Sequence, residues 1–323
     1  MAKQRPSISS VEMCAGAGGQ ALGLEQAGFD HEALVEFEKP MCDTLKFNRP
    51  EWNVIQGDLR EFDGRKYKGI DLLAGGLPCP PFSIAGKQLG KDDERDLFPA
   101  GIRLVDEIRP RAVMIENVRG LIGTPFADYR EHILKQLNKL GYRTEWRLLN
   151  ASDYGVPQLR PRAILVGIKK NISEFFEWPE AGDISAPTVG ETLLDLMASN
   201  GWKGAKVWAK NADRIAPTVV GGSKKHGGPD LGPTRAKRAW AELGVDGMGI
   251  ADEAPDKAFK GMPRLTVKMV ARIQGFPDDW QITGKKTNAY RQVGNAFPPP
   301  VAYAVAAKIA ECLATTRTAL LAG

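Results

Sequence analysis

From residue 10 to residue 168 the chain repeats one rhythm: a short apolar run, a turn, then a segment of helical spacing. Residues 10–14 read as a strand and 20–27 as a helix stopped by Gly28. Residues 34–37 form a second strand, with 41–47 as the helix behind it. Residues 53–56 and 70–74 are the third and fourth strands. The segment 98–108 has helical spacing and precedes a fifth strand at 112–116. A helix over 129–140 leads into 143–150, and 163–168 is a further strand. Strands separated by helices are joined by crossovers, so they align mostly in parallel and their helices cover both faces. The expected class is therefore α/β, a doubly wound sheet whose ligands collect at the carboxyl ends of the strands.

After about Pro187 the rhythm fails. Residues 201–249 are rich in glycine, basic residues and isolated tryptophans (Trp202, Trp208, Trp240). At 323 residues the chain is long for one core. We expect a cofactor-binding domain over 1–187, completed by 288–323, and a smaller irregular domain over 188–287. The Ala-rich segment 301–314 reads as a helix returning to the first domain. The net charge of +5 names no partner, but its distribution does more. Between Lys203 and Arg238 stand nine Lys and Arg against two Asp, whereas 239–256 carries five acidic residues and no basic one. A solvated surface can carry such blocks; a phosphate-facing patch is the sharper reading.

Other classes are disfavoured. No apolar run approaches the roughly 20 residues of a membrane helix, and the polar N-terminus lacks a signal-peptide core. The chain reads as cytosolic. Cys14, Cys42, Cys79 and Cys312 are widely separated and form no CxxC pair, which argues against zinc and against a disulfide framework. No metal site is expected.

The turn after the first strand holds Gly16, Gly18 and Gly19. Glycines there let the backbone approach a ligand at a helix N-terminus. Glu36 follows Gly16 by 20 residues at the end of the second strand, a place for a carboxylate to bind ribose hydroxyls. Phe37 is placed to pack on an adenine ring, and Asp58 to accept from an adenine amino group. The same glycines satisfy a loose dinucleotide fingerprint, so a nicotinamide or flavin enzyme competes, as does a turn that only packs helix on strand.

Cys79 follows the fourth strand between Pro78 and Pro80. A lone cysteine is more often a small core residue than a nucleophile, but a thiol bracketed by prolines at the ligand edge is held and presented. Glu116 and Asn117 end the fifth strand, where a salt-bridged acid is the plain alternative. Gln158, Arg160 and Arg162 alternate, as on one side of an extended segment or an exposed edge.

Taken in order, these pieces resemble the cytosine-C5 DNA methyltransferases of bacterial restriction-modification type. The blocks are Ala15–Gly19, Pro78-Cys79, Glu116-Asn117-Val118 and Gln158-x-Arg160-x-Arg162. Later come Arg264-Leu265-Thr266, Gln274-Gly275-Phe276-Pro277 and Gln292-Val293-Gly294-Asn295-Ala296. Each string is weak and the ordered set is specific; the resemblance covers the chain except roughly 187–262. Departures are Glu12-Met13-Cys14 for the usual Asp-Leu-Phe, Pro80 for a common Gln, and Lys268-Met269 for a common Arg-Glu.

The resemblance implies a Rossmann-like S-adenosylmethionine-dependent sheet beside a target-recognition domain, acting on duplex DNA. It implies that Cys79 attacks C6 of a flipped-out cytosine, activating C5 for methylation. Glu116 would donate at N3, with a raised pKa. Arg162 would contact O2, Arg160 would hold the site or a phosphate, and Asn117 would brace the Pro78-Cys79 turn. Cys14, Ala15, Gly16, Gly18, Gly19, Glu36, Phe37, Asp58, Leu59, Asn295 and Ala296 are expected around the cofactor. Ser83, Gln158, Lys224, Lys225, His226, Arg235, Lys237 and Arg238 are the candidates for DNA, and residues 83–96 a closing loop. A monomer, with a cognate restriction endonuclease acting separately, completes the expectation. The alternatives are an RNA cytosine methyltransferase of the same fold and a catalytically silent DNA-binding module. No Asp-Pro-Pro-Tyr-like string of the amino-group DNA methyltransferases is present.

Overall fold

The computed structural model describes residues 8–78, 96–182, 185–221 and 229–322. Its elements begin with β1 (Ile8–Met13), α1 (Gly19–Gln26), β2 (Phe29–Glu36), α2 (Lys39–Asn48), β3 (Val54–Gln56) and β4 (Leu72–Gly76). They continue with α3 (Phe98–Ile108), β5 (Ala112–Val118), α4 (Ala127–Lys139), β6 (Tyr142–Asn150) and β7 (Pro161–Lys169). Every strand expected from the apolar runs is present. β2 starts earlier than its apolar run does, because Phe29, Asp30 and His31 already pair along β1, ahead of an irregularity at Glu32. The His31 ring there meets Ser10 Oγ at 2.9 Å and the Ala21 carbonyl at 3.0 Å, which satisfies both its nitrogens.

One seven-stranded sheet results, in the order β3-β2-β1-β4-β5-β7-β6. β1 to β5 pair in parallel, while β7 runs against both β5 and β6. Side chains alternate between faces, as the strand period requires. Leu72, Ala74, Ala112 and Met114 pack on one face with Val305 and Ile309. Leu73, Val113 and Ile115 pack on the other with Leu104 of α3 and Leu137 of α4. The strand order reverses between β1 and β4. Their following connections diverge, which opens a crevice at the carboxyl edge of the sheet.

Beyond β7 the chain forms α5 (Val189–Ala198), α6 (Ala205–Asn211), α7 (Thr234–Glu242), α8 (Val267–Ile273) and α9 (Lys286–Asn295). These helices run only seven to ten residues, too short to show a rhythm in the sequence. Trp208 and Trp240, which read as isolated, are buried in their common core. That core continues into Leu22, Leu45 and Trp52 from the α1–α2 side of the sheet. The final helix, α10 (Pro299–Ala322), returns to the sheet as the alanines suggested. Gly23 lets α1 touch it: a Cβ on Gly23 would lie 2.6 Å from that of Ala302.

Candidate active site

The turn leaving β1 is built around Glu36. Its Oε2 accepts from the Gly16 N–H at 2.7 Å and its Oε1 from the Glu38 N–H at 2.7 Å. One buried carboxylate thus joins the glycine turn to the end of β2. Burial pushes its pKa up, against the backbone N–H groups that favour the charged form. Cys14 and Gly16 sit at positive φ, and Gly18 at φ 85°. A Cβ on Gly18 would lie 2.7 Å from both Leu45 and Trp280. Gly18 therefore shapes the turn from behind and does not line the cavity in front of it.

That cavity, about 490 Å³, lies in the crevice at the switch point. The volume suits a nucleoside-sized ligand. Of the residues expected around a cofactor, Cys14, Ala15, Gly16, Gly19, Glu36, Phe37, Asp58, Leu59, Asn295 and Ala296 line it. Phe37 is 66% exposed, an aromatic face offered to the cavity with no protein covering it. The Asp58 carboxylate is gripped by Arg60, whose Nη2 approaches Oδ2 at 2.6 Å, and this holds Asp58 below its ordinary pKa. Asp58 is thereby kept as an acceptor.

The same cavity reaches Pro78 and Glu116. Asn117 Nδ2 donates to the Leu77 carbonyl at 2.8 Å, pinning the chain just before Pro78. Cys79 itself lies outside the described residues, as do Ser83, Lys224, Lys225, His226 and all but the last residue of the expected closing loop. Glu116 and Arg162 face each other across the β5–β7 pair, with Arg162 Nε 2.7 Å from Glu116 Oε1. Nε is not aligned for a hydrogen bond there, so the contact is ionic and leaves donor capacity on the guanidinium. Both side chains are about nine-tenths buried. Burial raises the Glu116 pKa, outweighing Arg162 and Arg160, which lower it. A buried acid whose pKa is pushed up, beside a fixed cation, is suited to stabilising negative charge on a small planar ring.

One expectation needs correction, and a second is narrowed to holding the site. Gln158 is fully buried: its Oε1 accepts from the Val219 N–H at 2.8 Å and its Nε2 donates to Gln274 Oε1 at 2.6 Å. It makes no surface for DNA. Arg160 is 1% exposed and donates to the Val219, Gly294 and Ala296 carbonyls, so it clasps three chain segments together and reaches no phosphate. Gln158 and Arg160 precede β7 and turn inward toward these segments, whereas Arg162, within β7, faces Glu116. Arg235 and Arg238 are exposed on α7; Lys237 is half-buried and paired with Asp230 at 2.7 Å.

Several lining residues escaped the sequence reading: Glu12, Gln20, Arg60, Leu97 and Gln292. Glu12 carried a signal, a carboxylate flanked by the apolar Val11 and Met13 at the end of a strand. Burial, and secondarily Glu36, holds it well above the usual carboxylate range. Arg60 and Leu97 carried none, because loop geometry alone brings them to the cavity.

A parallel sheet with one reversed strand, a glycine turn tied by an acid at the tip of β2 and an acid–arginine pair together form one crevice suited to a nucleoside-sized ligand. The family model for the C-5 cytosine-specific DNA methylases matches residues 8–311, and the chain belongs to that family. It is 58% identical over 313 residues to the type II methyltransferase M.NaeI of Lentzea aerocolonigenes, covering 95% of this chain and 76% of that one. It is also 58% identical over 309 residues to the type II methyltransferase M.NgoMIV of Neisseria gonorrhoeae, covering 95% and 98%. Among solved structures, the Dnmt2 methyltransferase of S. pombe shares the fold, with a TM-score of 0.64 at 16% identity over 96% of this chain and 99% of that one. No helix among the described residues is long and apolar enough to cross a membrane.

Proposed function

We propose that this chain methylates C5 of a cytosine flipped out of duplex DNA, with Cys79 as nucleophile and Glu116 and Arg162 holding the base. The observation that carries the reading is that one cavity is lined both by the nucleoside-type residues Glu36 and Phe37 and by Pro78 and Glu116. The site where a methyl donor would lie and the site where a base would react are therefore continuous.

The residues present fit S-adenosylmethionine. Glu36 suits its ribose, Phe37 offers an uncovered ring for its adenine, and Asp58, kept charged by Arg60, offers an acceptor. When bound, the group supplies an electrophilic methyl. The chain's residues do the rest. The Cys79 thiolate adds to C6, and the electron pair displaced from the C5–C6 double bond makes C5 nucleophilic. Glu116 holds its proton at N3, and Arg162 directs its free donors to O2. After methylation a solvent-derived base takes the C5 proton, and the C6–S bond breaks to release the thiolate. Arg160 acts outside these steps, as a clasp.

Residues 188–287 are proposed as the DNA-reading domain, beside a catalytic domain of 1–187 and 288–323. Arg235 and Arg238 project from α7, and Lys237, Lys224, Lys225 and His226 extend the basic run. The two type II relatives support reading the chain as a modification enzyme of such a system; we propose in addition that it is a cytoplasmic monomer whose cognate endonuclease acts separately. The family description, a DNA methylase, favours this over the RNA-directed alternative.

The test is covalent trapping. Duplex plasmid DNA containing 5-azacytosine, mixed with protein and cofactor, is expected to give a denaturant-stable complex with the parent and none with Cys79→Ser. A parent that binds this DNA yet gives no stable complex would contradict the reading.

A further inference from the structure

The loop 246–250 holds one apolar side chain out of the protein. Met248, between Gly247 and Gly249, is 67% exposed. The glycines let the loop lie close to its neighbours: a Cβ on Gly247 would stand 3.3 Å from Lys237 Cα in α7, and one on Gly249 3.1 Å from Arg264 Nη1. The backbone is pinned as well. The Asp246 carboxylate accepts from the Met248 N–H at 2.9 Å and from Arg264 Nε at 2.8 Å, and the Asp246 N–H donates to the Pro263 carbonyl at 2.9 Å. The Gly247 carbonyl accepts from the Leu231 N–H at 3.0 Å. Met262, beside Pro263, is 51% exposed. Single exposed methionines are ordinary on a protein surface. Two on adjoining segments, one of them on a pinned loop, form a presented apolar patch.

The place of the loop limits what covers this patch. Successive close approaches join it to the wall of the catalytic cavity. A Cβ on Gly221 would lie 2.2 Å from Asn295 Oδ1, and one on Gly232 2.7 Å from Val220, while Leu231 bonds to Gly247. Beside the loop stands α7, with Arg235 and Arg238 exposed. The acids around them, Asp230, Glu242 and Asp246, are each paired with another cation, Lys237, Arg214 and Arg264, so the surface stays basic. That charge selects duplex DNA as the occupant. The apolar feature a duplex offers in its major groove is the C5 edge of a pyrimidine, the thymine methyl group above all. We propose that Met248 reads one base pair of the recognised sequence by apolar contact with a pyrimidine C5 edge. The arginines of α7 hold the phosphates alongside. The inference rests on the DNA-reading role proposed above for residues 188–287.

The test is bisulfite sequencing of plasmid DNA carrying random-sequence inserts, methylated in vitro by the parent, Met248→Gln or Met248→Leu. Gln keeps the length of the side chain and makes its end polar. Met248→Gln should lower discrimination at one position of the recognised sequence about tenfold, within the usual range for one base pair. The other positions should be read as the parent reads them. Met248→Leu keeps an apolar side chain of similar volume and should stay within about twofold of the parent at every position. Both variants should keep the parent's melting temperature, because Met248 covers no core. An unchanged preference with Met248→Gln would overturn the assignment. A fall of equal size in all contexts would overturn it too, since a wedge or a packing role acts on every sequence alike. Equal relaxation with Leu and Gln would overturn the apolar contact. A parent that left the plasmid unmethylated would overturn the reading of the chain as a DNA methyltransferase, and the assignment with it.

Discussion

The two walls of the cavity are held in place by different means. On the sheet side, Glu12, Glu36, Gly76 and Glu116 stand at the ends of hydrogen-bonded strands, so their positions follow from register. On the opposite side, Gln292, Asn295, Ala296 and Phe297 lie at the end of α9 and just after it, away from any sheet. Their backbone is held by side chains: Arg160 binds the carbonyls of Gly294 and Ala296, and Gln274 donates to Ala296 at 2.6 Å. Backbone pairing spreads the load over many bonds. A side-chain clasp concentrates it in a few residues, and a single substitution can open it.

The sharpest way to break this comparison is to cut the clasp. Arg160→Met takes the guanidinium donor from the buried Val219 and Gly294 carbonyls, leaves Ala296 to Gln274 alone, and should cost at least about 3 kcal/mol in urea unfolding. Arg60→Ala, which removes an exposed ion pair on the sheet-side wall, should leave the unfolding midpoint nearly unchanged. Equal losses would mean that the two walls are not held differently.

A somewhat smaller effect is expected on the sheet side, in the rate. Glu116→Gln should lower kcat roughly a hundredfold, the usual scale of a general acid. The pH dependence has a definite sign. Burial raises the Glu116 pKa, so its proton is kept through the ordinary carboxylate range and is lost as pH rises through the raised value. The parent rate should therefore fall on that alkaline side, whereas the Gln variant, whose amide N–H does not titrate there, should be flat over the same window. Matching profiles would remove Glu116 from the proton-holding role.

Phe37→Ala tests whether the exposed ring serves the ligand or the fold. Cofactor affinity should drop about five- to tenfold, the worth of one aromatic stack. The melting temperature should hold, because the ring covers no core. The smallest effect belongs to α7. Arg238→Ala should weaken all DNA sequences alike and reduce the slope of log affinity against log salt by about 0.9, the mark of one phosphate contact. A change confined to one sequence would make Arg238 a base reader instead.

The same contrast decides what could be read from the sequence. β2 to β5 and β7 were legible from short apolar runs bounded by turns, and the cavity residues at strand ends came with them; the polar edge strand β6 was legible only from its place after α4. Polar strand starts were not: β2 was read from Leu34, although pairing with β1 begins at Phe29. In the second region the helices are too short for periodicity, and Trp208 and Trp240 looked isolated because their partners are distant in sequence. Gln158 was expected at the DNA, and Arg160 to hold the site or a phosphate. Their alternation with Arg162 does hold, with Leu159 exposed between them, but the face they share is covered by the segments at Val219 and after α9, which are distant in sequence. Glu12 and Gln20 were passed over because a polar residue beside a glycine turn has no pattern of its own until burial shows that it lacks a partner.

The central claim is that a DNA cytosine receives a methyl group at C5 through Cys79. Bisulfite sequencing of genomic DNA from cells expressing the parent or Cys79→Ser addresses it at the product. The account predicts unconverted cytosines confined to one short sequence context in cells with the parent, and none in cells with the variant. No protected cytosine in any context with the parent, or equal protection with Cys79→Ser, would contradict it.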